Sequence, residues 1–204
     1  MVITYETDST AYHKKSLYLN ITNRCNNRCV FCHRFDRKNP DNQMDELWLE
    51  REPTVDEILD AVFKKDLSLY DEIVFCGYGE PTCRLDDLLT VAKHIKATSP
   101  IPIRINTNGL ADTLYHRDVT PDLKGLIDTV SISLNAPGAK TYDLLCRPKA
   151  DDAYRHLLTF AKNAVRYCRV CLTIIDNLPE ADIAHCRRIA RDIGAELILR
   201  PYLD

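Results

Sequence analysis

Short apolar segments recur along the chain and predict β-strands. In one of them Ile101, Ile103 and Ile105 alternate with other residues, as in a strand with one buried face. Six segments of this kind are present, with the bounds Ser16–Thr22, Glu72–Cys76, Ile101–Asn106, Thr129–Leu134, Val170–Ile175 and Leu197–Pro201. Their spacing after the first gap, about 30 residues or a little more, is typical of repeated βαβ units.

The segments between the strands have helical spacing. Thr54 and Glu57 form a capping box, and apolar residues follow it at positions 55, 58, 59 and 62. Comparable patterns predict helices after residues 85 and 153, a short helix opened by Thr120-Pro121, and a last helix ended by Gly194. Strands that alternate with helices predict a parallel sheet covered by helices. Six units are too few for a closed eight-stranded barrel, so an open barrel or a doubly wound sheet remains.

Strand parity favours the open barrel. Arg104, Asn106 and Asn108 share one face of their strand, and Ser131, Ser133 and Asn135 share one face of the next. A polar sheet face must line a wet or liganded space, whereas a sheet covered on both sides is apolar throughout. We therefore predict an open, partial (β/α)6 barrel with parallel strands. The same alternation places Arg104 and Arg200 on the strand faces that line the cavity of the barrel. Each is expected there either to bind a carboxylate or to form a structural ion pair.

Composition and charge narrow the function. The 204 residues include 27 Lys and Arg against 30 Asp and Glu, a net charge of −3, which makes binding to nucleic acid unlikely. No apolar run is long enough to span a membrane and no leader is visible, so we expect a cytoplasmic protein. We expect residues 1–204 to form a single domain, with a cysteine loop at 23–33 and an irregular insert at 34–53 that acts as a partial lid.

Three of the nine cysteines form the strongest motif. Cys25, Cys29 and Cys32 follow the first strand as CNNRCVFC, at the end of the sheet where parallel α/β proteins hold their ligands. Three thiolates leave one metal coordination position open, as in an iron–sulfur cluster that chelates a small molecule. The alternative is a structural zinc site completed by His33. We interpret Cys76, Cys146, Cys168, Cys171 and Cys186 as core thiols, whereas Cys83 lies near enough to face the cavity.

The chain resembles the radical S-adenosylmethionine (SAM) superfamily, and most closely its TatD-associated members. CNNRCVFC matches the CxxxCxxC motif, and GYGEP, the run Gly77, Tyr78, Gly79, Glu80 and Pro81, resembles the motif for the SAM amino group, although its glycines are split. The run Asn106, Thr107, Asn108 and Gly109 resembles the TNG turn near SAM. Ser133 and Asn135 match polar positions that contact the cofactor.

The resemblance implies a [4Fe–4S] cluster held by Cys25, Cys29 and Cys32, with SAM on its fourth iron. Reductive cleavage of SAM gives a 5′-deoxyadenosyl radical that abstracts hydrogen from a substrate. The residues implied to bind the cofactor are Phe31, near the adenine, and Gly77, Tyr78, Gly79, Glu80, Asn106, Thr107, Asn108, Ser133, Asn135 and Arg200. No catalytic residue is implied. The expected partners are an electron donor such as flavodoxin or ferredoxin and a large or protein substrate.

Two other classes of function remain open at this stage. One is a metal-binding or scaffold protein without catalysis on the same fold. The other is a protein that modifies RNA or a nucleobase, against which the net charge of −3 argues.

Overall fold

The computed structural model describes residues 3–9, 14–32 and 47–201. Their strands form one sheet with the order β1-β2-β3-β4-β5-β6-β7, so every strand lies beside its neighbours in the sequence. The strands are β1 Thr4–Ser9, β2 Lys14–Leu19, β3 Glu72–Phe75, β4 Ile103–Thr107, β5 Thr129–Ser133, β6 Arg169–Ile175 and β7 Glu196–Arg200. All pairs from β2 to β7 are parallel. This is the predicted open partial barrel.

The edge strand β1 departs from the prediction of six strands. It pairs antiparallel with β2, and Thr4 lies opposite Leu19. Its sequence TYETDS has too few apolar residues to give a strand signal, because it lies at an edge and contacts only one neighbour. The Tyr5 ring stacks on Tyr18 with ring centroids 5.0 Å apart, and its hydroxyl donates to the carbonyl oxygen of Cys76 at 3.3 Å. The first predicted strand, Ser16–Thr22, also ends earlier than expected, at Leu19.

Within the described residues, six α-helices connect the strands. They are α1 Val55–Phe63, α2 Leu85–Thr98, α3 Ala111–Tyr115, α4 Ala139–Cys146, α5 Ala153–Ala164 and α6 Glu180–Ile193, with 3₁₀ turns at Leu67–Leu69, Pro81–Arg84 and Thr120–Leu123. The predicted capping box at Thr54 and Glu57 is present, and Gly194 ends α6 with a φ of 85°. The helices α3 and α4 were not predicted from the sequence. The prediction that Thr120 caps the next turn was also wrong, because Thr120 is the first residue of that turn and Val119 precedes it.

The two faces of the sheet differ in polarity. On the outer face Ile103, Ile105 and their counterparts on the other strands pack against the helices in one buried core. The opposite face, called here the inner face, carries Glu72, Arg104, Asn106, Ser131 and Thr173. A polar inner face is the predicted feature that distinguishes an open barrel from a flat sheet covered on both sides. No helix in the described ranges is long and apolar enough to cross a membrane.

Candidate cluster and cofactor site

The cysteine loop runs from the end of β2 across the mouth of the barrel. Cys25, Cys29 and Cys32 are each partly exposed, and all nine cysteines lie in the described residues without a disulfide. Within those residues no three Cys, His, Asp or Glu side chains are gathered closely enough to ligate one metal ion. The structure therefore brings the three predicted cysteines onto one loop but does not bring their sulfur atoms together. His33, the fourth ligand of the zinc alternative, lies outside the described residues.

The carboxyl end of α4 anchors this loop. The Arg28 amide donates to the carbonyl oxygen of Cys146 at 3.0 Å, and the Val30 amide donates to Leu145 at 2.8 Å. Further along, the Lys149 amide donates to the carbonyl oxygen of Asn26 at 3.0 Å. The first two bonds satisfy carbonyls that a helix end leaves without partners, and all three bind the loop to the barrel. The sequence missed α4, and so it missed this anchor.

The first predicted turn, GYGEP, forms the second anchor. The Gly79 amide donates to Thr22 at 3.0 Å, and the Glu80 amide donates to Arg24 at 2.7 Å. A Cβ on Gly79 would lie 2.3 Å from the Thr22 carbonyl oxygen and 2.6 Å from that of Arg24. A Cβ on Gly77 would lie 2.0 Å from the side-chain oxygen of Asn20. The chain therefore needs both glycines for its own close packing, a reason the sequence did not reveal.

Glu80 links this turn to the second predicted turn, after β4. Its buried carboxylate accepts hydrogen bonds from the hydroxyl of Thr107 at 2.7 Å and from the amide of Asn108 at 2.7 Å. It also accepts from the amide and the hydroxyl of Thr82, at 3.1 and 2.7 Å. Burial raises the pKa of Glu80, and these four donors oppose that rise. Both carboxylate oxygens are thus occupied by the protein's own groups.

Asn108 carries this connection onward to the cysteine loop. Its side-chain amide donates to the side-chain oxygen of Asn26 and lies 4.0 Å from the sulfur of Cys25. Asn27 donates to the hydroxyl of Tyr142 at 3.2 Å, so a second loop asparagine is fixed from α4. The side-chain nitrogen of Asn26 is buried with no hydrogen-bond partner. A buried donor of this kind beside Cys25 fits a ligand at the same place.

The polar residues predicted after β5 and β7 lie on the same side of the sheet. Ser133 ends β5 beside Thr173, and Asn135 follows with a φ of 57°, which asparagine tolerates. The side-chain nitrogen of Asn135 lies 3.4 Å from the sulfur of Cys146, and its side-chain oxygen is buried without a partner. Arg200 ends β7 beside Ile175, and its Nε atom is also buried without a partner. Donor and acceptor atoms thus remain for a polar ligand.

The sequence left two roles open for Arg104, binding of a ligand carboxylate or a structural ion pair. The structure shows the ion pair. Arg104 is 1% exposed, and its guanidinium donates to the carboxylate of Glu72 at 2.7 and 3.1 Å. Strand parity turns Arg104 to the inner face correctly, but it does not reveal the carboxylate on the neighbouring strand.

Two further cysteines flank the loop. The Cys29 thiol is hydrogen-bonded to the buried Cys146, which raises the pKa of Cys29, as does burial. On the other side burial raises the pKa of Cys83 to about 12, and the nearby Glu80 and Cys25 contribute. Cys146 was interpreted as a core thiol, and its contact with Cys29 could not be inferred because α4 itself was not predicted. Cys171 and Cys186 are buried as expected, and Cys168 is partly buried.

The segment 47–52, called here the return segment, crosses back over the mouth. The side-chain amide of Asn23 donates to the carbonyl oxygen of Leu49 at 2.7 Å, and the Leu49 amide donates back at 3.2 Å. The Trp48 ring lies 6.0 Å from the ring of Tyr78, the residue between the two glycines. Phe31, on the cysteine loop, packs partly buried against the core. Residues 33–46, most of the predicted lid, lie outside the described residues.

The family model of the radical SAM superfamily matches residues 19–193, which include the cysteine loop and the strands from β3 to β6. The chain belongs to the radical SAM superfamily. Members of this family are enzymes that use a [4Fe–4S] cluster and SAM. Three thiols on one anchored loop, with unpartnered polar atoms beside them, fit this pair of groups.

Individual relatives share the architecture at low identity. A probable GTP 3′,8-cyclase from Thermococcus kodakarensis is 26% identical over 187 residues, 90% of this chain and 55% of the relative. The structure of TYW1 with a lysine–pyruvate adduct bound has a TM-score of 0.65 at 13% identity, covering 93% of this chain and 65% of TYW1. Streptococcus suis SuiB bound to SAM has a TM-score of 0.63 at 15% identity, covering 92% and 38% of the two chains. The chain spans about half the length of the curated relative.

Proposed function

We propose that this radical SAM enzyme cleaves SAM reductively and uses the resulting radical on a substrate bound at the mouth of the barrel. The observation that carries the proposal is the anchoring of the loop of Cys25, Cys29 and Cys32 to both predicted cofactor turns and to α4. When bound, the cluster supplies the electron that converts SAM into methionine and a 5′-deoxyadenosyl radical, which abstracts hydrogen. Every other role belongs to residues of the chain.

Those residues hold the loop and orient the cofactor. Cys25, Cys29 and Cys32 hold the cluster, which requires Cys29 to turn away from Cys146. The GYGEP turn presents its backbone beside the loop, and Glu80 ties it to the turn of Asn106, Thr107 and Asn108. Ser133 lies at the end of β5, and Asn135 offers a side-chain oxygen without a partner just after it. Phe31, Trp48 and Tyr78 exclude water from the mouth.

The substrate carries an anionic group that pairs with Arg200. The buried Nε atom of Arg200 has no partner, and a carboxylate or phosphate is the usual partner of a guanidinium. GTP and a lysine–pyruvate adduct, the compounds named for two relatives, both carry anionic groups. A large or protein substrate that bears such a group fits the same contact. Superfamily members need a reductant, and we propose a flavodoxin or a ferredoxin in the cytoplasm.

Anaerobic reconstitution with iron and sulfide tests the proposal. We expect about four irons per chain and an electron paramagnetic resonance signal that changes when SAM is added. Cys25→Ser, Cys29→Ser and Cys32→Ser each lose most of the iron. Cys168→Ser is the matched control, since Cys168 is also partly exposed but lies next to β6, away from the loop, and it keeps the iron. One bound zinc, or a cluster whose signal ignores SAM, would overturn the proposal.

A further inference from the structure

A buried polar cluster lies on the inner face below the mouth. Glu72 and Arg104 are 2% and 1% exposed, and the Arg104 guanidinium donates twice to one carboxylate oxygen of Glu72. The same oxygen accepts from the hydroxyl of Ser16 at 3.0 Å, and the second oxygen pairs with Lys14 at 3.1 Å. A buried ion pair is costly to desolvate and stabilises a fold weakly, so it suggests a role in specificity. Arg104 lies on β4 two residues before Asn106.

Arg104 also reaches Asn106. Its Nη1 atom donates to the side-chain oxygen of Asn106, two residues further along β4. A guanidinium has only donors, so it accepts nothing from an amide NH₂ group and holds the amide in one orientation. The oxygen of Asn106 therefore faces Arg104, and the NH₂ group is left for the space above. A cation on the oxygen also polarises the amide, which makes its NH₂ group a stronger donor.

We propose that Glu72 and Arg104 are positioning residues that fix the amide of Asn106, so that Asn106 acts only as a hydrogen-bond donor to SAM. The inference rests on the proposed function. It adds that Asn106 is the donor and SAM the acceptor in one hydrogen bond. Asn106 is partly exposed on the inner face, whereas Asn108, on the same face, is already engaged with Asn26. The acceptor is an oxygen or ring nitrogen of SAM, which carries several of each.

The substitution Asn106→Asp removes the hydrogen-bond donor of the side chain but keeps its size and shape. Aspartate has the shape of asparagine and keeps an oxygen for Arg104, but it has no NH₂ group. We expect the cluster-loaded variant to bind SAM at least about tenfold more weakly in anaerobic equilibrium dialysis, the size of one lost hydrogen bond of roughly 1.4 kcal/mol. The urea midpoint stays unchanged or rises, since the new carboxylate lies beside a cation. A merely structural role would lower the midpoint and leave the affinity for SAM unchanged.

Asn163→Asp is the matched control. Asn163 on α5 also accepts a hydrogen bond from an arginine through its side-chain oxygen, Arg166 at 2.9 Å, but on the outside of the barrel. The same chemical change there leaves SAM affinity within about twofold, because no ligand contact is lost.

Arg104→Lys tests whether Arg104 acts through Asn106. Lysine keeps the charge beside Glu72 but lacks the fork that reaches two partners, so the amide is no longer held and SAM affinity falls about threefold to tenfold. The double variant of Arg104→Lys and Asn106→Asp binds SAM no more weakly than Asn106→Asp alone. Wild-type affinity in Asn106→Asp, or additive losses in the double variant, would overturn this inference alone. A wild-type protein that fails to bind SAM would overturn the proposed function as well.

Discussion

At the scale of single residues, the site depends on two glycines, Gly77 and Gly79, whose missing Cβ atoms leave room for neighbouring groups. The resemblance implies that Gly77 and Gly79 bind the cofactor directly. The space beside them is instead filled by Asn20 and by the carbonyls of Thr22 and Arg24. The two glycines therefore let the cysteine loop and the GYGEP turn pack against each other, and a ligand meets the surface that this packing creates.

Gly79→Ala should disturb this contact. The new Cβ would lie 2.3 Å from a backbone oxygen, so the turn must shift. We expect a loss of about 1–3 kcal/mol in the free energy of unfolding, measured with urea, and weaker iron uptake on reconstitution. Gly138→Ala is the control, since nothing lies within 4 Å of its Cβ and its φ is −168°. Equal stability of the two variants would contradict the packing role of Gly79.

Glu80→Gln tests whether Glu80 holds the turns or touches the cofactor. The amide NH₂ group replaces an acceptor of hydrogen bonds from Thr82, Thr107 and Asn108. We expect a loss of about 1–3 kcal/mol in the free energy of unfolding, because a buried donor loses its acceptor. Glu50→Gln, at an exposed position, changes nothing. A weaker affinity for SAM at unchanged stability would instead support the direct contact expected from the sequence.

At the scale of elements, ion pairs of Glu72 with Lys14 and Arg104 join the neighbouring strands β2, β3 and β4. Burial alone would raise the pKa of Glu72, but hydrogen bonds and charges from Arg104 and Lys14 outweigh it and lower that pKa below the usual 4.5. A carboxyl group with a lowered pKa stabilises the folded state above about pH 4.5. That stabilisation is lost as the pH falls through the lower folded value.

Glu72→Gln should therefore remove part of the acid sensitivity of the fold. At pH 7 we expect its free energy of unfolding to be about 3 kcal/mol lower than that of the wild type, because Arg104 is left buried without its counter-charge. This difference shrinks as the pH is lowered below 4.5, which a series of urea titrations would measure. Glu196→Gln, which breaks an exposed pair with Arg169, costs less than about 1 kcal/mol. A difference independent of pH would contradict this account.

Element prediction succeeded where the pattern was long and failed where it was short. The strands β3 to β7 and the helices α1, α2, α5 and α6 follow from apolar spacing and caps. The strand β1 has one neighbour and few apolar residues, and α4 is preceded by Gly138, which provides no side-chain cap. Because α4 was missed, so was the anchor of the cysteine loop at Leu145 and Cys146.

At the scale of the whole molecule, the sequence was sufficient to predict the architecture. Three cysteines after the first parallel strand, and polar residues at the ends of the next ones, predicted a mouth at one edge of the sheet. The partners inside that mouth could not be predicted, because contacts such as Arg104 with Glu72 or Cys29 with Cys146 join distant parts of the chain. The individual cofactor contacts and the TatD-associated resemblance stay predictions.

Trp48 offers a reporter for the whole site. It is the single tryptophan of the chain, and it lies beside Tyr78 in the GYGEP turn. We expect SAM to change its fluorescence in the cluster-loaded protein, because a ligand against that turn alters the polarity around both rings. Trp48→Phe binds SAM but gives no signal. An unchanged emission under conditions where dialysis detects bound SAM would place the cofactor away from the return segment.

The sequential order of the strands also governs how the protein is made. Each described strand extends a sheet edge built from the strand before it, so the barrel can grow in the direction of synthesis. The cysteine loop is synthesised before the residues that hold it, which lie near positions 80, 108 and 145. Its thiols therefore lack these contacts until residue 146 has been made. We expect these thiols to be most easily oxidised by oxygen in that interval, and the cluster to be inserted after it.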